Sequence, residues 1–342
     1  MGIMSRGWKP KKLREQTIVI TGASSGIGLA TARRAAARGA AVVLTSRSEQ
    51  DLRRATDEIT ARGGRATYVV ADVAEPAELD RVAEAAIREF GGFDTWVNDA
   101  GVSIYGKLTE VPLADKKRLF ETNFWGVVNG CRTAVRHLRH SGGTIINVGS
   151  IVSDRAVPMQ GIYSASKHAV LGYTDALRME LEHDGLPIAV TLVKPSAINT
   201  PFVEHARNYM DKGPSLPPPV YAPEVVAAAI LKCAERPVRE VTVGGGGRMM
   251  SALGRITPRA MDKYMQQTMF EQQKDSTGTV ISQDSLFEPK EDGHAEGPYT
   301  GHVMQSSVYT NAKLSNVARV LPYVAAGAVL AATLRRWKSD AA

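Results

Sequence analysis

Cysteine is almost missing from this chain. Cys131 and Cys233 are the only two in 342 residues. That is too few for a disulfide scaffold and suits a reducing compartment such as the cytoplasm. The seven histidines form no HExxH and the cysteines no CxxC, so no metal site is expected. Aromatic residues make up 6% of the chain and are not interleaved with basic ones. Nucleic-acid binding therefore lacks its usual footing, despite a net charge of +7. No internal repeat is visible. What is present is ordinary globular composition, 44% hydrophobic and 23% charged, which excludes wholesale disorder, collagen-like repeats and a polytopic membrane protein.

Charge is unevenly spread. The first fourteen residues carry Arg6, Lys9, Lys11, Lys12 and Arg14 without an acid, and 1–16 reads as a solvated basic arm. A contact with anionic lipid or a partner is the alternative. Residues 271–300 hold seven acids against Lys274 and Lys290, with few large apolar residues, and read as a mobile acidic linker. Val320–Leu334 has no charge and is flanked by Arg319 and by Arg335, Arg336 and Lys338. As a helix it would be about 22 Å long, short of a hydrocarbon core of roughly 30 Å. It is expected either to pack on the protein or to make peripheral or tail contact with a membrane. The expected organisation is thus an arm (1–16), a catalytic domain (17–247), a helical and flexible acidic linker (248–312) and an apolar helix with basic flanks (313–342).

Between the tails, strands and helices alternate. Short apolar runs at Ile18–Ile20, Ala41–Leu44, Thr67–Val70, Thr95–Val97, Thr144–Val148, Ile188–Val193 and Val238–Val243 read as strands. Helical patterns fill the intervals: 27–38, 49–61, one opened by Pro76, a long one over 113–138, 163–183 and 223–234. Such alternation with short links predicts an α/β fold, a Rossmann-type doubly wound parallel sheet with helices on both faces, followed by a C-terminal extension.

Thr21-Gly22-Ala23-Ser24-Ser25-Gly26-Ile27-Gly28 lies between the first strand and first helix. Glycines let a backbone approach a phosphate closely, and a helix N-terminus offers unpaired N–H groups to it. Ser24 and Ser25 add hydroxyl donors. No Gly-Lys-Ser/Thr follows, so this is not a Walker motif. At the end of the second strand, Thr45-Ser46-Arg47-Ser48 lacks the acid that would accept a ribose 2′-hydroxyl. Arg47 offers a guanidinium suited to a 2′-phosphate, which favours NADP (NADPH) over NAD.

Tyr163 and Lys167 stand four apart at the start of a helix and so share a face. A phenol ordinarily titrates near 10. A neighbouring ammonium and an oxidised nicotinamide would lower that value, letting Tyr163 exchange a proton with a carbonyl or alcohol oxygen. Ser150, at the end of the fifth strand, is placed to hydrogen-bond the same oxygen.

Taken together these residues resemble the short-chain dehydrogenases/reductases, in the branch with a TGxxxGxG turn and a YxxxK helix. The likeness spans roughly 17–243. Its motifs follow the family's order: the glycine turn, Ala71-Asp72-Val73, Asn98-Asp99-Ala100-Gly101, Thr122-Asn123-Phe124, Gly149-Ser150, and the Tyr163/Lys167 pair. The resemblance implies a catalytic tetrad of Asn123, Ser150, Tyr163 and Lys167. Tyr163 would be the acid/base, Lys167 would also bind the nicotinamide ribose, and Asn123 would hold a water in a proton relay. It further implies that Gly22, Ser24, Ser25, Gly26, Ile27 and Gly28 bind the dinucleotide, with Asp72 and Val73 at the adenine. Asn98, Ala100 and Gly101 would pass beneath the ribose, and Pro195, Ile198 and Thr200 would sit near the nicotinamide. Two departures stand out: Asp99 where the family commonly has Asn, and Ser196 where it commonly has Gly.

The substrate pocket is expected from three loops: 102–107, 151–160 and 202–221. Val102, Ile104, Tyr105, Val152, Val157, Met159, Phe202 and Tyr209 make it apolar and suit a small lipophilic carbonyl or alcohol. Asp154 and Arg155 could equally pair with each other on its rim, and the loop residues could form a hydrophobic lid without selectivity. The resemblance implies a homodimer or homotetramer through the helices near 113–138 and 163–183. The leading expectation is an NADP(H)-dependent carbonyl/alcohol oxidoreductase, and the rival is a catalytically silent NADP-binding regulator or scaffold.

Overall fold

The computed structural model describes residues 8–274 and 284–315. Its centre is a seven-stranded, wholly parallel sheet made of β1 (Thr17–Thr21), β2 (Ala41–Ser46), β3 (Arg65–Val70), β4 (Thr95–Asn98), β5 (Gly143–Val148), β6 (Ile188–Pro195) and β7 (Glu240–Val243). The spatial order is β3-β2-β1-β4-β5-β6-β7. Strands β1, β5 and β6 are buried along their whole length, which explains their nearly continuous apolar runs.

Helices α1 (Gly26–Ala36), α2 (Glu49–Ala61) and α7 (Pro223–Glu235) cover one face through Leu29, Leu52, Ile230 and their neighbours. Helices α3 (Pro76–Phe90), α4 (Leu113–Phe120), α5 (Gly126–Ser141) and α6 (Gly161–His183) complete the sandwich, and Val82, Cys131, Leu138 and Val170 pack on the other face. Local signals set several ends. Ser48 caps α2 by accepting from the Asp51 N–H, Pro76 opens α3, and Gly91 closes α3 at φ 78. Strand order reverses between β1 and its neighbours β2 and β4, so a crevice opens above their carboxyl ends.

The long helix expected over 113–138 is interrupted. A π turn, Glu121–Trp125, separates α4 from α5 and carries Asn123. Beyond β7 the chain forms α8 (Gly245–Ile256), α9 (Pro258–Gln272) and, later, α10 (Val308–Leu314).

Residues 8–16 of the expected basic arm keep Lys9, Lys11, Lys12 and Arg14 exposed and are anchored to the body by other contacts. Leu13 is buried, its N–H donates to Glu235, Lys11 pairs with Asp94, and Trp8 packs at Gly142. Residues 284–300, expected as mobile linker, lie on the body as a strap. Leu286 enters the core beside Met261, Met265 and Met269, and two of the acids find partners: Asp284 pairs with Arg207 and Asp292 hydrogen-bonds His205. A local composition poor in apolar residues did not reveal that Arg207 and His205 await those acids. Arg6 and the 320–334 run lie outside the described residues. Among the described residues no helix is long and apolar enough to cross a membrane.

Candidate active site

The floor of the crevice is the glycine turn. Gly22 sits at φ +70, and a Cβ there would lie 2.8 Å from the Ala100 Cα. A Cβ on Gly28 would lie 2.3 Å from the Gly22 carbonyl oxygen. Both positions therefore need glycine for close backbone approach. Thr21 fastens the opposite wall: its hydroxyl accepts from the N–H groups of Asp99 and Ala100 at 3.0 and 3.1 Å. This clamp has no sequence motif beyond the threonine that precedes the turn.

Tyr163 and Lys167, on the first turns of α6, are both buried and face Ser150, which follows β5. The Lys167 ammonium donates to the Val148 carbonyl at 2.9 Å and lies 5.8 Å from the Tyr163 ring centre. Burial pushes the Tyr163 phenol up to about 12; a hydrogen bond from Ser150 opposes this and the nearby Asp99 adds to it. Among the protein's own groups, desolvation outweighs the Ser150 hydrogen bond. Burial draws Lys167 down to about 8 against the pull of Asp99, while burial lifts Asp99 up to about 7 against Lys167 and the Gly28 N–H. The departure from the family's asparagine therefore places an acid/base pair at the cavity wall.

Asn123 is fully buried, and its carboxamide is engaged elsewhere. It accepts from the Val102 N–H at 2.8 Å and donates to the Val102 carbonyl at 2.9 Å and the Ser166 hydroxyl at 3.2 Å. It braces the segment that follows Gly101. Its side chain is turned to Val102 and Ser166 in that bracing, while Lys167 donates to the Val148 carbonyl.

A cavity of about 710 Å³ runs from Gly22, Ser25, Gly26 and Ile27, past Asp99 and Gly101, to Ser150, Tyr163 and Lys167. Pro195, Ile198 and Thr200 line it as expected. A smaller cavity beside it, lined by Ser24, Ser25, Arg47, Asp72, Val73, Ala100 and Gly101, holds the other expected dinucleotide residues. Gly28 lies behind the turn and lines neither cavity, and Asn98 is a second exception. It is buried in the core, where Trp96 Nε1 donates to its Oδ1 and its Nδ2 donates to Asn147, and it lines neither cavity.

The strap contributes residues that local reading missed. Ser285, Pro289 and Lys290 line the smaller cavity, and the Gly26 N–H donates to the His294 carbonyl at 2.9 Å. The Arg47 guanidinium donates to the carbonyls of Ser285 and Phe287, so it fastens the strap as well as lining the cavity. Burial draws its pKa down, with Asp72 opposing. His205, which pairs with the strap's Asp292, touches both cavities. Only long-range pairing brings these groups to the site, which is why no local pattern announced them.

The reactive end opens into an apolar chamber. Tyr105, Val152, Val157 and Phe202 line it as expected, and the Phe202 ring lies 5.6 Å from that of Tyr163. Ile104 and Met159 are buried behind the wall, Val102 faces the smaller cavity, and Tyr209 turns away to hydrogen-bond Asp115. The far wall comes from α8 and α9: Met249, Met250, Leu253, Met261 and Met269. Asp154 and Arg155 do not pair with each other. Asp154 meets the buried Lys194 at 3.0 Å, and Arg155 pairs with Asp262 of α9. Ser196 packs against Gly244 and Gly247, whose missing side chains leave it room. Among the described residues no cluster of His, Cys, Asp and Glu could hold a metal.

The family model described as short chain dehydrogenase matches residues 16–211. An uncharacterized oxidoreductase of Bacillus subtilis, YxnA, is 43% identical over 332 residues, covering 96% of this chain and 93% of that protein. The ketoacyl reductase HetN of a Nostoc species is 30% identical over 73% of this chain and 88% of its own length. Among solved structures, a short chain dehydrogenase/reductase from Burkholderia phymatum in complex with NAD superposes with a TM-score of 0.64 at 28% identity, covering 73% of this chain and 95% of that one. An alcohol dehydrogenase from Thermococcus sibiricus complexed with 5-hydroxy-NADP gives 0.59 at 26% identity, covering 66% and 95%.

Proposed function

The chain belongs to the short-chain dehydrogenase/reductase family, and from that premise we propose that it interconverts a large apolar ketone or aldehyde with its alcohol, using NADP(H) and Tyr163 as the proton-transferring group. It is an oxidoreductase acting on CH–OH groups with a nicotinamide dinucleotide.

The residues present fit that coenzyme. The cradle at Gly22 and Gly28 is one that a single Cβ would fill. The turn from Gly22 to Gly28 would hold the pyrophosphate, Asp72 and Val73 the adenine, Tyr163 and Lys167 the ribose, and Pro195, Ile198 and Thr200 the nicotinamide. NADP is favoured because Ser46-Arg47-Ser48 at the carboxyl end of β2 has no acid, and because the cations Arg47 and Lys290 both line the smaller cavity. When bound, the nicotinamide supplies or accepts the hydride. A phenol held near 12 is protonated at neutral pH, so Tyr163 is set to donate its proton to a carbonyl oxygen that gains the hydride. Ser150 would hydrogen-bond the same oxygen, and Lys167 would stabilise the phenolate left behind. Asn123 keeps the Gly101–Val102 backbone in place beneath them.

The observation that carries this reading is the meeting of Ser150, Tyr163 and Lys167 on the wall of one apolar cavity that begins at the glycine turn. The methionine-rich far wall can adapt its shape to a bulky apolar substrate. Exposed Leu113, Trp125 and Met179 on α4, the π turn and α6 support a homodimer or homotetramer through those helices. The test is NADPH oxidation against a panel of ketones, aldehydes, quinones and steroids beside small hydrophilic carbonyls. Turnover should favour the large apolar members. A preference for the small hydrophilic ones would overturn the substrate reading, and no NADPH oxidation by any carbonyl would overturn the activity.

A further inference from the structure

The mouth of the large cavity is ringed by apolar side chains with no partner. On α8, Met249, Leu253 and Ile256 recur at the spacing of one helical face and are 64%, 45% and 77% exposed. Tyr264, on the first turns of α9, is 48% exposed. Met249, Leu253 and Tyr264 also line the cavity, so the outer patch and the inner chamber form one continuous apolar surface.

Cations surround this patch. Between 245 and 264 the sequence has Arg248, Arg255, Arg259 and Lys263 against Asp262 alone, and Asp262 is taken by Arg155. Arg255, Arg259 and Lys263 are exposed; among the described residues Arg259 and Lys263 make no ion pair, and Arg255 reaches Asp154 only at 3.7 Å. The described chain also leads here. The Tyr309 side chain of α10 packs against Gly245 at the start of α8, and α10 exposes Val308. A few residues beyond α10 the sequence enters the uncharged run 320–334 with arginines and a lysine at its flanks.

We infer that the face formed by α8 and the start of α9 docks on an anionic lipid surface, so that the cavity mouth opens onto acyl chains. Apolar side chains at the centre with Arg and Lys at the rim are the composition of an interfacial helix. Tyrosine and the long cations suit the headgroup level, where one end of a side chain is apolar and the other wet. A second copy of the chain fits less well. A two-fold contact would bring this net-cationic face against its own copy, with no acid left free on it to offset the repulsion. The docking rests on this surface and not on the coenzyme or the chemistry, so it can fail while the proposed activity stands.

The test is flotation of the full chain with vesicles of phosphatidylcholine alone and of phosphatidylcholine with about one-third phosphatidylserine, at low and high salt. The variants are Ile256→Glu and the double change Arg259→Ala with Lys263→Ala, none of which lines the cavity. The full chain should float with the phosphatidylserine vesicles and be released by salt. The double variant should bind on the order of thirtyfold more weakly, and Ile256→Glu at least about tenfold. Thermal midpoints and light-scattering masses are measured alongside. Three results would overturn the inference: no binding to anionic vesicles, binding unchanged in both variants, or a loss of oligomer in Ile256→Glu without any vesicle binding by the parent.

Discussion

Substituting Gly22 by alanine tests how the turn is built. The residue holds φ +70, which costs an L side chain about 1–2 kcal/mol. The new methyl would also lie 2.8 Å from the Ala100 Cα and 2.9 Å from its nitrogen. That backbone cannot retreat freely, because the Thr21 hydroxyl holds the N–H groups of both Asp99 and Ala100. Overpacking against a pinned backbone adds about 1–3 kcal/mol. The total expected loss is about 2–5 kcal/mol, a fall of roughly 3–7 °C in thermal midpoint for a chain of this length. Gly63 supplies the control: it has φ +79 but nothing within 4 Å of an added Cβ, so Gly63→Ala pays the strain without the contact. Thermal unfolding without coenzyme, followed by fluorescence titration with NADPH, separates the two. Gly22→Ala should be the less stable and should bind NADPH at least about tenfold more weakly, since Gly22 lines both cavities. Equal losses at the two positions, or full NADPH affinity in Gly22→Ala, would refute the close-approach argument.

Two further outcomes follow from the site. Fluorescence titration should show tighter binding of NADPH than NADH, and Arg47→Ala should narrow that gap by roughly tenfold to a hundredfold; equal affinities in the parent would remove the NADP assignment. In the free enzyme, kcat/KM should rise through about pH 7 as Asp99 ionises and fall above about pH 8 as Lys167 loses its proton, the two titrating as a coupled pair. Because ionised Asp99 holds the proton on Lys167, Asp99→Asn should abolish the rise and move the fall to lower pH. An unchanged profile would show that the pair does not govern turnover.

The sheet, its order of strands and helices, and the glycine turn were legible because each rests on local chemistry. β-branched runs make buried strands, Pro76 and Gly91 mark helix ends, and a Thr-Gly turn before a helix has few other uses. Tyr163, Lys167 and Ser150 were legible by spacing and by their place at strand and helix ends; the burial that raises the phenol's pKa depends on the surrounding packing and was not. Asn98 was placed near the ribose by resemblance alone; its core partners Asn147 and Trp96 come from other strand positions and could not be read locally. The strap was illegible for a different reason. Its acids look like solvated linker until Arg207 and His205, roughly eighty residues earlier in the chain, meet them. The same holds for the far wall, where Met261, Met265 and Met269 share one face of α9 and read in isolation as any apolar stripe.

The most direct test of the proposed chemistry is the turnover of Tyr163→Phe with NADPH and an accepted carbonyl, measured beside its NADPH affinity. Removing the hydroxyl leaves the ring packed on Phe202, so the fold and coenzyme binding should persist while kcat falls by about a hundredfold to ten-thousandfold. A variant that binds NADPH normally and still turns over at the parent's rate would contradict the account, because no proton could then have come from that phenol.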